Sequence, residues 1–148
     1  MTPASAELFG RTQEQWDEFV EVSIDLLLER GTRIFYGELN NTVAQRTGLP
    51  RFDLETEQGR KGLGHILGDV NDRTIDDIQA VMGRRAMLSA LVWLKDSGDQ
   101  FGKGFYQWGI DNQLLAPRNP GEQARLIFAA EQTGLAQTYC RRRRRRRA

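Results

Sequence analysis

The sequence predicts a single, mainly helical α+β domain, and three observations predict it. The chain has 148 residues, a length one domain usually takes at about 100–200 residues. Hydrophobic residues make up 39%, enough for a real core. The longest apolar patterns recur with helical period, while the runs that read as strand are short.

Each element follows from local chemistry. Thr12 and Gln15 match a capping box, in which two side chains satisfy free amide groups at a helix start. Trp16, Phe19, Val20, Ser23, Ile24, Leu27 and Leu28 then recur at helical spacing until Gly31. Glu14, Asp17, Glu18, Glu21, Asp25 and Glu29 populate the opposite face. Thr32 to Tyr36 is β-branched and aromatic and reads as a short strand. Glu38 to Thr47 reads as a short helix with Leu39, Val43 and Ala44 inward, stopped by Gly48, and Leu49 to Glu57 as a loop, because Pro50 biases Leu49 away from helix.

Gln58 to Asn71 carries Leu63, Ile66, Leu67 and Val70 at helical spacing, together with Gly59, Gly62, Gly64 and Gly68. Each interior glycine costs about 1 kcal/mol against alanine, so close packing or a ligand must offset it; tight packing is the favoured reason. Thr74 caps a second short helix through Met82, with Asp76 and Asp77 in its first turn. Met87 to Leu94 is almost continuously apolar and reads as a buried strand. Lys95 to Gly104 holds three glycines and reads as a hairpin tip. Phe105 to Leu115 fits either strand or helix. Asn119 as cap and Pro120 at the first helical position launch a last helix through Gln132, with Leu126, Ile127 and Ala130 inward.

Charge divides the chain. Seven of its 21 basic residues form one block, Arg141 to Arg147. The remainder has fourteen basic against twenty acidic residues, a body of net −6. Seven adjacent guanidinium groups repel one another, so residues 139–148 are expected to be a disordered poly-arginine tail. Residues 1–11 are expected to be flexible and 12–138 to form the domain. If each tail arginine met a phosphate of B-DNA, the salt slope would be about −6.

This order of elements is much like that of a winged helix, a small helical bundle edged by a β-hairpin, here with a C-terminal helix. In that fold the third helix enters the major groove and the wing touches the backbone. The expected contacts are Arg51, Arg60, Lys61 and His65 on the helix and its approach, Lys95 and Lys103 on the wing, and Arg141, Arg142 and Arg143 on the tail. Arg60 and Lys61 stand at a helix start, where free amides and the dipole already favour phosphate.

GTRIFYGEL, then RKGLGHILGDVN, then LSALVWLKDSG together resemble the DNA-binding half of O6-alkylguanine alkyltransferases and their alkyltransferase-like relatives, over about residues 31–105. That family has a Tyr-Gly-Glu junction, an arginine- and glycine-bearing recognition helix ending near an asparagine, and an apolar motif with the reactive residue. Where its motif reads Pro-Cys-His-Arg, this chain has Leu88, Ser89, Ala90 and Leu91. The resemblance therefore implies DNA or lesion binding with alkyl transfer lost. The Leu-Ser-Ala-Leu-Val and Gly-Lys-Gly-Phe segments also resemble those of small bacterial proteins.

The expected function is thus non-catalytic nucleic-acid binding, DNA favoured, by a bacterial-type regulator or a defence or repair component. Two alternatives stand beside it. One is a protein-interaction module anchored by Phe101, Phe105, Tyr106 and Trp108, at least two of which should be core. The other is an enzyme centred on His65, with Asp69 four residues on. Ser89 lacks a nucleophile elbow, Gly102 to Gly104 is too short for a P-loop, and Asp72, Asp76 and Asp77 match no calcium loop. Cys140 beside the arginines should be reactive. One cysteine and one histidine exclude disulfide frameworks and the common zinc motifs. No catalytic set, metal or cofactor is expected. No apolar run is long enough to cross a bilayer and the N-terminus has no secretory pattern, so a cytoplasmic protein is expected.

Overall fold

A computed structural model describes residues 8–94, 103–116 and 121–147. Its helices are α1 (Gln13–Arg30), α2 (Tyr36–Thr47), α3 (Glu57–Met82), α4 (Lys103–Asp111) and α5 (Glu122–Arg147). Two short strands, β1 (Ile34–Phe35) and β2 (Val92–Trp93), complete a mainly helical fold. They pair in parallel, Ile34 with Val92 and Phe35 with Trp93. The described sheet is therefore not the expected hairpin. Residues 95–102, which hold most of the proposed wing including Lys95, lie outside the described residues, and Lys103 and Gly104 open α4 instead of closing a wing.

α1 follows its sequence closely. The Thr12 hydroxyl accepts from the Gln15 amide, the Gln15 side chain accepts from the Thr12 amide, and Gly31 ends the helix at φ 62°. Such a left-handed cap suits glycine, which has no Cβ to clash. Arg11, expected in a flexible lead-in, is buried: its guanidinium lies 3.9 Å from the Phe52 ring centre and 5.1 Å from that of Phe19.

α3 is one helix where the sequence suggests two. Thr74, read as a cap, donates its hydroxyl to the Val70 carbonyl at 2.7 Å and so satisfies itself inside the helix. The apolar run after it is only partly strand. Leu88–Leu91 form a 3-10 turn, and two amides at its start find side chains in place of a neighbouring strand. The Met87 amide donates to Gln132 Oε1 at 2.8 Å, and the Ser89 amide to Asn71 Oδ1 at 2.9 Å. Asn71 also donates through Nδ2 to Ser89 Oγ at 2.8 Å. Asn40 holds Phe52 in the same two-point manner, at 2.8 and 3.0 Å.

α5 runs beyond Gln132, and the end expected to be a loose tail begins in the core. Tyr139 and Cys140 are buried. The Tyr139 hydroxyl donates to Asp77 of α3, and Arg143 Nε lies 3.3 Å from the same carboxylate. Leu126, Ile127 and Ala130, expected inward, face solvent, while Phe128, Ala129, Gln132 and Ala136 are buried. The Asn119 cap and Pro120 lie outside the described residues.

Replacing Asn71 by alanine removes two buried hydrogen bonds and leaves the Ser89 amide unpaired. Urea unfolding should show a loss of about 2–3 kcal/mol for Asn71→Ala and only about 1 for Ser89→Ala, which keeps the backbone bond. Equal losses would show that the amide contact carries nothing.

Candidate functional site

The four glycines of α3 serve two different ends. A Cβ on Gly59 would stand 1.8 Å from the Asp53 carbonyl oxygen, and one on Gly62 would stand 2.6 Å from the Phe52 ring. These two glycines let the loop before α3 lie against the helix. A Cβ on Gly68 would meet Trp108 at an ordinary 3.6 Å, and one on Gly64 would meet nothing within 4 Å. Gly64 and Gly68 both line a cleft of about 800 Å³ between α3, α4 and the β2 segment.

Three of the sequence-predicted residues meet at this cleft. Arg60, Lys61 and His65 are exposed and line it. Arg60 donates to the Leu54 carbonyl at 3.0 Å, and Lys61 lies 3.6 Å from Glu57. Arg60 has no carboxylate partner among the described residues. Gly104, next to Lys103, also lines the cleft, so α4 begins at its rim. Arg51 does not join them; it donates to Asn41 Oδ1 at 3.2 Å on the approach to α3.

The arginine block is elsewhere. Arg143 pairs with Asp77, Arg142 donates to the Val81 carbonyl at 3.5 Å, and Arg141 donates to Thr138. Asp77 lies about 26 Å beyond Arg60 along α3 and is turned about 220° from Gly64 around the helix axis, at the usual rise and twist. The two cationic regions therefore occupy different sides of α3.

Acidic residues line the cleft as well, but their carboxylates are engaged. Asp69 accepts from Trp16 Nε1 at 2.6 Å and Asp72 accepts from Trp108 Nε1 at 3.1 Å. The first bond diverts the carboxylate that sequence offered as a partner for His65, whose ring instead lies 5.4 Å from that of Phe9. Ser89, at the cleft floor, is held by Asn71 and stands 4% exposed. Cys140 is buried with Sγ 3.7 Å from the Leu27 carbonyl oxygen, which shields it from reagents. Of the aromatic cluster, Phe105 and Tyr106 are core and Trp108 is half-buried at the cleft, while Phe101 lies outside the described residues. Among the described residues no acidic, histidine and cysteine cluster suits a metal ion, and no helix is long and apolar enough to cross a membrane.

Tyr36 is a cleft residue that sequence reasoning passed over as the end of a strand; it opens α2. Burial pushes its hydroxyl up to about 12, so it remains a neutral donor at every physiological pH.

Two measurements check this geometry. Gly64→Ala should gain about 1 kcal/mol of stability, because the helix benefits and the new methyl meets open space, whereas Gly59→Ala should unfold the α3 start. An unfolded Tyr36 titrates near pH 10, while the folded one holds its proton until about 12. Its contribution to stability is therefore complete below about pH 10 and drains as pH rises towards about 12. Wild type should thus lose more stability across that range than Tyr36→Phe, read by urea unfolding.

Compared as a whole, the chain matches no family model, no curated protein and no solved structure.

Proposed function

We propose that the protein binds nucleic acid without catalysis, DNA favoured, through the amino-terminal half of α3 and the cleft beside it. The observation that carries this reading is the exposure of Arg60, Lys61 and His65 together on one open face of α3. These side chains stand within the first turns of the helix, where amide dipoles reinforce attraction to phosphate. Arg60 brings a guanidinium fork suited to phosphate or to guanine. Four cleft carboxylates oppose a polyanion: Glu57 is paired with Lys61, while Asp69, Asp72 and Asp111 accept from neutral N–H donors, which do not cancel a carboxylate's charge, so contact with phosphate falls mainly to Arg60.

In this reading α3 acts as the reading helix of a winged-helix type of binder. The resemblance of residues 31–105 to the DNA-binding half of alkyltransferases points the same way. A non-catalytic role fits a serine fixed by Asn71 and a histidine whose neighbouring carboxylate is taken by Trp16. The arginine block supplies a second, sequence-independent phosphate contact from the far side of α3.

The test is fluorescence anisotropy with labelled duplex and single-stranded DNA at two salt concentrations. Arg60→Ala should weaken binding about tenfold and reduce the salt slope by about 1. Because the arginine block lies on another side, the same loss should persist when Arg141 to Arg147 are changed to glutamine. Binding that survives Arg60→Ala and Lys61→Ala unchanged, or that vanishes at low salt with the glutamine tail alone, refutes the reading.

A further inference from the structure

Four positions of α3 stand four residues apart along one row: Arg60, Gly64, Gly68 and Asp72. All four line the cleft. The row runs about 18 Å at the usual rise, with a guanidinium at its head, a carboxylate at its foot and bare backbone between. Leu54, Leu67, Val92, Phe105 and Trp108 give the cleft apolar walls. Its volume of about 800 Å³ is that of a small-molecule site, typically mostly apolar with a few fixed polar groups. The glycines alone would not make it one; the side chains around them have bonding capacity left over. Tyr36, at the β1–α2 junction, lines the cleft, and its hydroxyl makes no hydrogen bond among the described residues, although burial pushes it up to about 12. A desolvated donor in that state is unfavourable until something accepts from it. Arg60 uses one N–H, on the Leu54 carbonyl, and has several others to offer. At the foot, Asp72 and Asp111 each accept one bond at Oδ1, from Trp108 and Gln107, and neither joins an ion pair among the described residues.

We propose that this trough binds a small, elongated and largely apolar molecule with an acidic group at one end and an amine at the other, the acid at Arg60 and the amine at Asp72 and Asp111. A flat body can lie directly on the α3 backbone at Gly64 and Gly68, where side chains would otherwise hold it off. Trp108, which stands beside Gly68 and donates to Asp72, offers that body an aromatic surface next to the amine. The charges fix its direction. Turned round, the molecule would set its acid against two carboxylates and its amine against Arg60 and Lys61. A molecule acidic at both ends meets the same carboxylates at the foot. The acidic residues that oppose a polyanion are thus what this ligand needs. A duplex is too wide to enter a cleft of this volume and would meet Arg60 at the rim, so the proposal stands or falls apart from the nucleic-acid reading.

Isothermal titration calorimetry of the full chain tests this with three probes. One is a biphenyl with a carboxylate at one para end and an aminomethyl group at the other; its two analogues lack either the amine or the acid. The two-ended probe should bind saturably and about tenfold tighter than either analogue. Gly64→Leu should abolish its binding with no loss in the circular-dichroism melt, because the side chain fills the trough. Asp72→Asn, which keeps an acceptor for Trp108, should weaken the two-ended probe several-fold and leave the acid-only analogue no weaker. Arg60→Gln should weaken the two-ended probe and spare the amine-only analogue. No saturable binding of the two-ended probe, equal affinity for all three, or binding indifferent to Gly64→Leu overturns the proposal. Should Gly64→Leu fail to fold, the charge variants decide alone: affinity unmoved by both overturns it. No arm uses DNA, so the result is independent of whether the chain binds it.

Discussion

The cleft depends on one buried asparagine. Asn71 sits in the middle of α3 and grips Ser89 at both its amide and its hydroxyl. Without that grip the Ser89 amide would be buried with no partner, at a cost of about 1–3 kcal/mol. With it, the segment from Met87 to Leu91 coils into a 3-10 turn, leaves Val92 and Trp93 aligned with β1, and closes the floor of the cleft. Gln132 of α5 holds the Met87 amide in the same way. Side chains from two helices thus do for this stretch what a sheet would otherwise do.

The basic residues are organised by α3, but not into one surface. Its first turns present Arg60 and Lys61 to the cleft, while its last turns hold Arg143 through Asp77 on a different side. A flat ligand cannot touch both at once, so a nucleic acid that uses both must bend around the domain or meet them in succession. The balance of the body, net −6 outside the arginine block, makes that separation consequential: in the proposed binding mode, long-range attraction would come mainly from the arginines and local orientation from α3.

What was legible in the sequence was whatever local chemistry decides. Thr12, Gln15 and Gly31 set both ends of α1, and Gly48 ends α2 at φ 75°, because caps are contacts within a few residues. Arg60, Lys61 and His65 span about 140° of α3 at the usual twist, so it is the width of the cleft, not helical spacing, that brings them together. The failures were all tertiary. Thr74 has the chemistry of a cap, yet its hydroxyl bonds back to Val70 and α3 continues. Met87 to Leu94 is apolar enough for a strand, but the partner that would make it one is replaced by Asn71 and Gln132. Leu126 and Ile127 are apolar but exposed because Phe128, Tyr139 and Cys140 already occupy the buried side of α5. Trp16 claims Asp69 from across the fold, 53 residues away, and no local pattern announces that.

The glycines of α3 separate structural from functional demand more sharply than its charges do. A glycine inside a helix costs about 1 kcal/mol, and at Gly59 and Gly62 the cost is offset by the loop that could not otherwise pack there. Gly64 has no such return: its missing methyl would enter empty space. A packing role therefore explains two of these glycines and leaves Gly64 and Gly68 unexplained, Gly64 the more clearly. The space Gly64 keeps open borders Arg60, Lys61 and His65 at the cleft. The uncompensated cost at that position leaves the α3 backbone open to the cleft, which is what the proposed binding there requires.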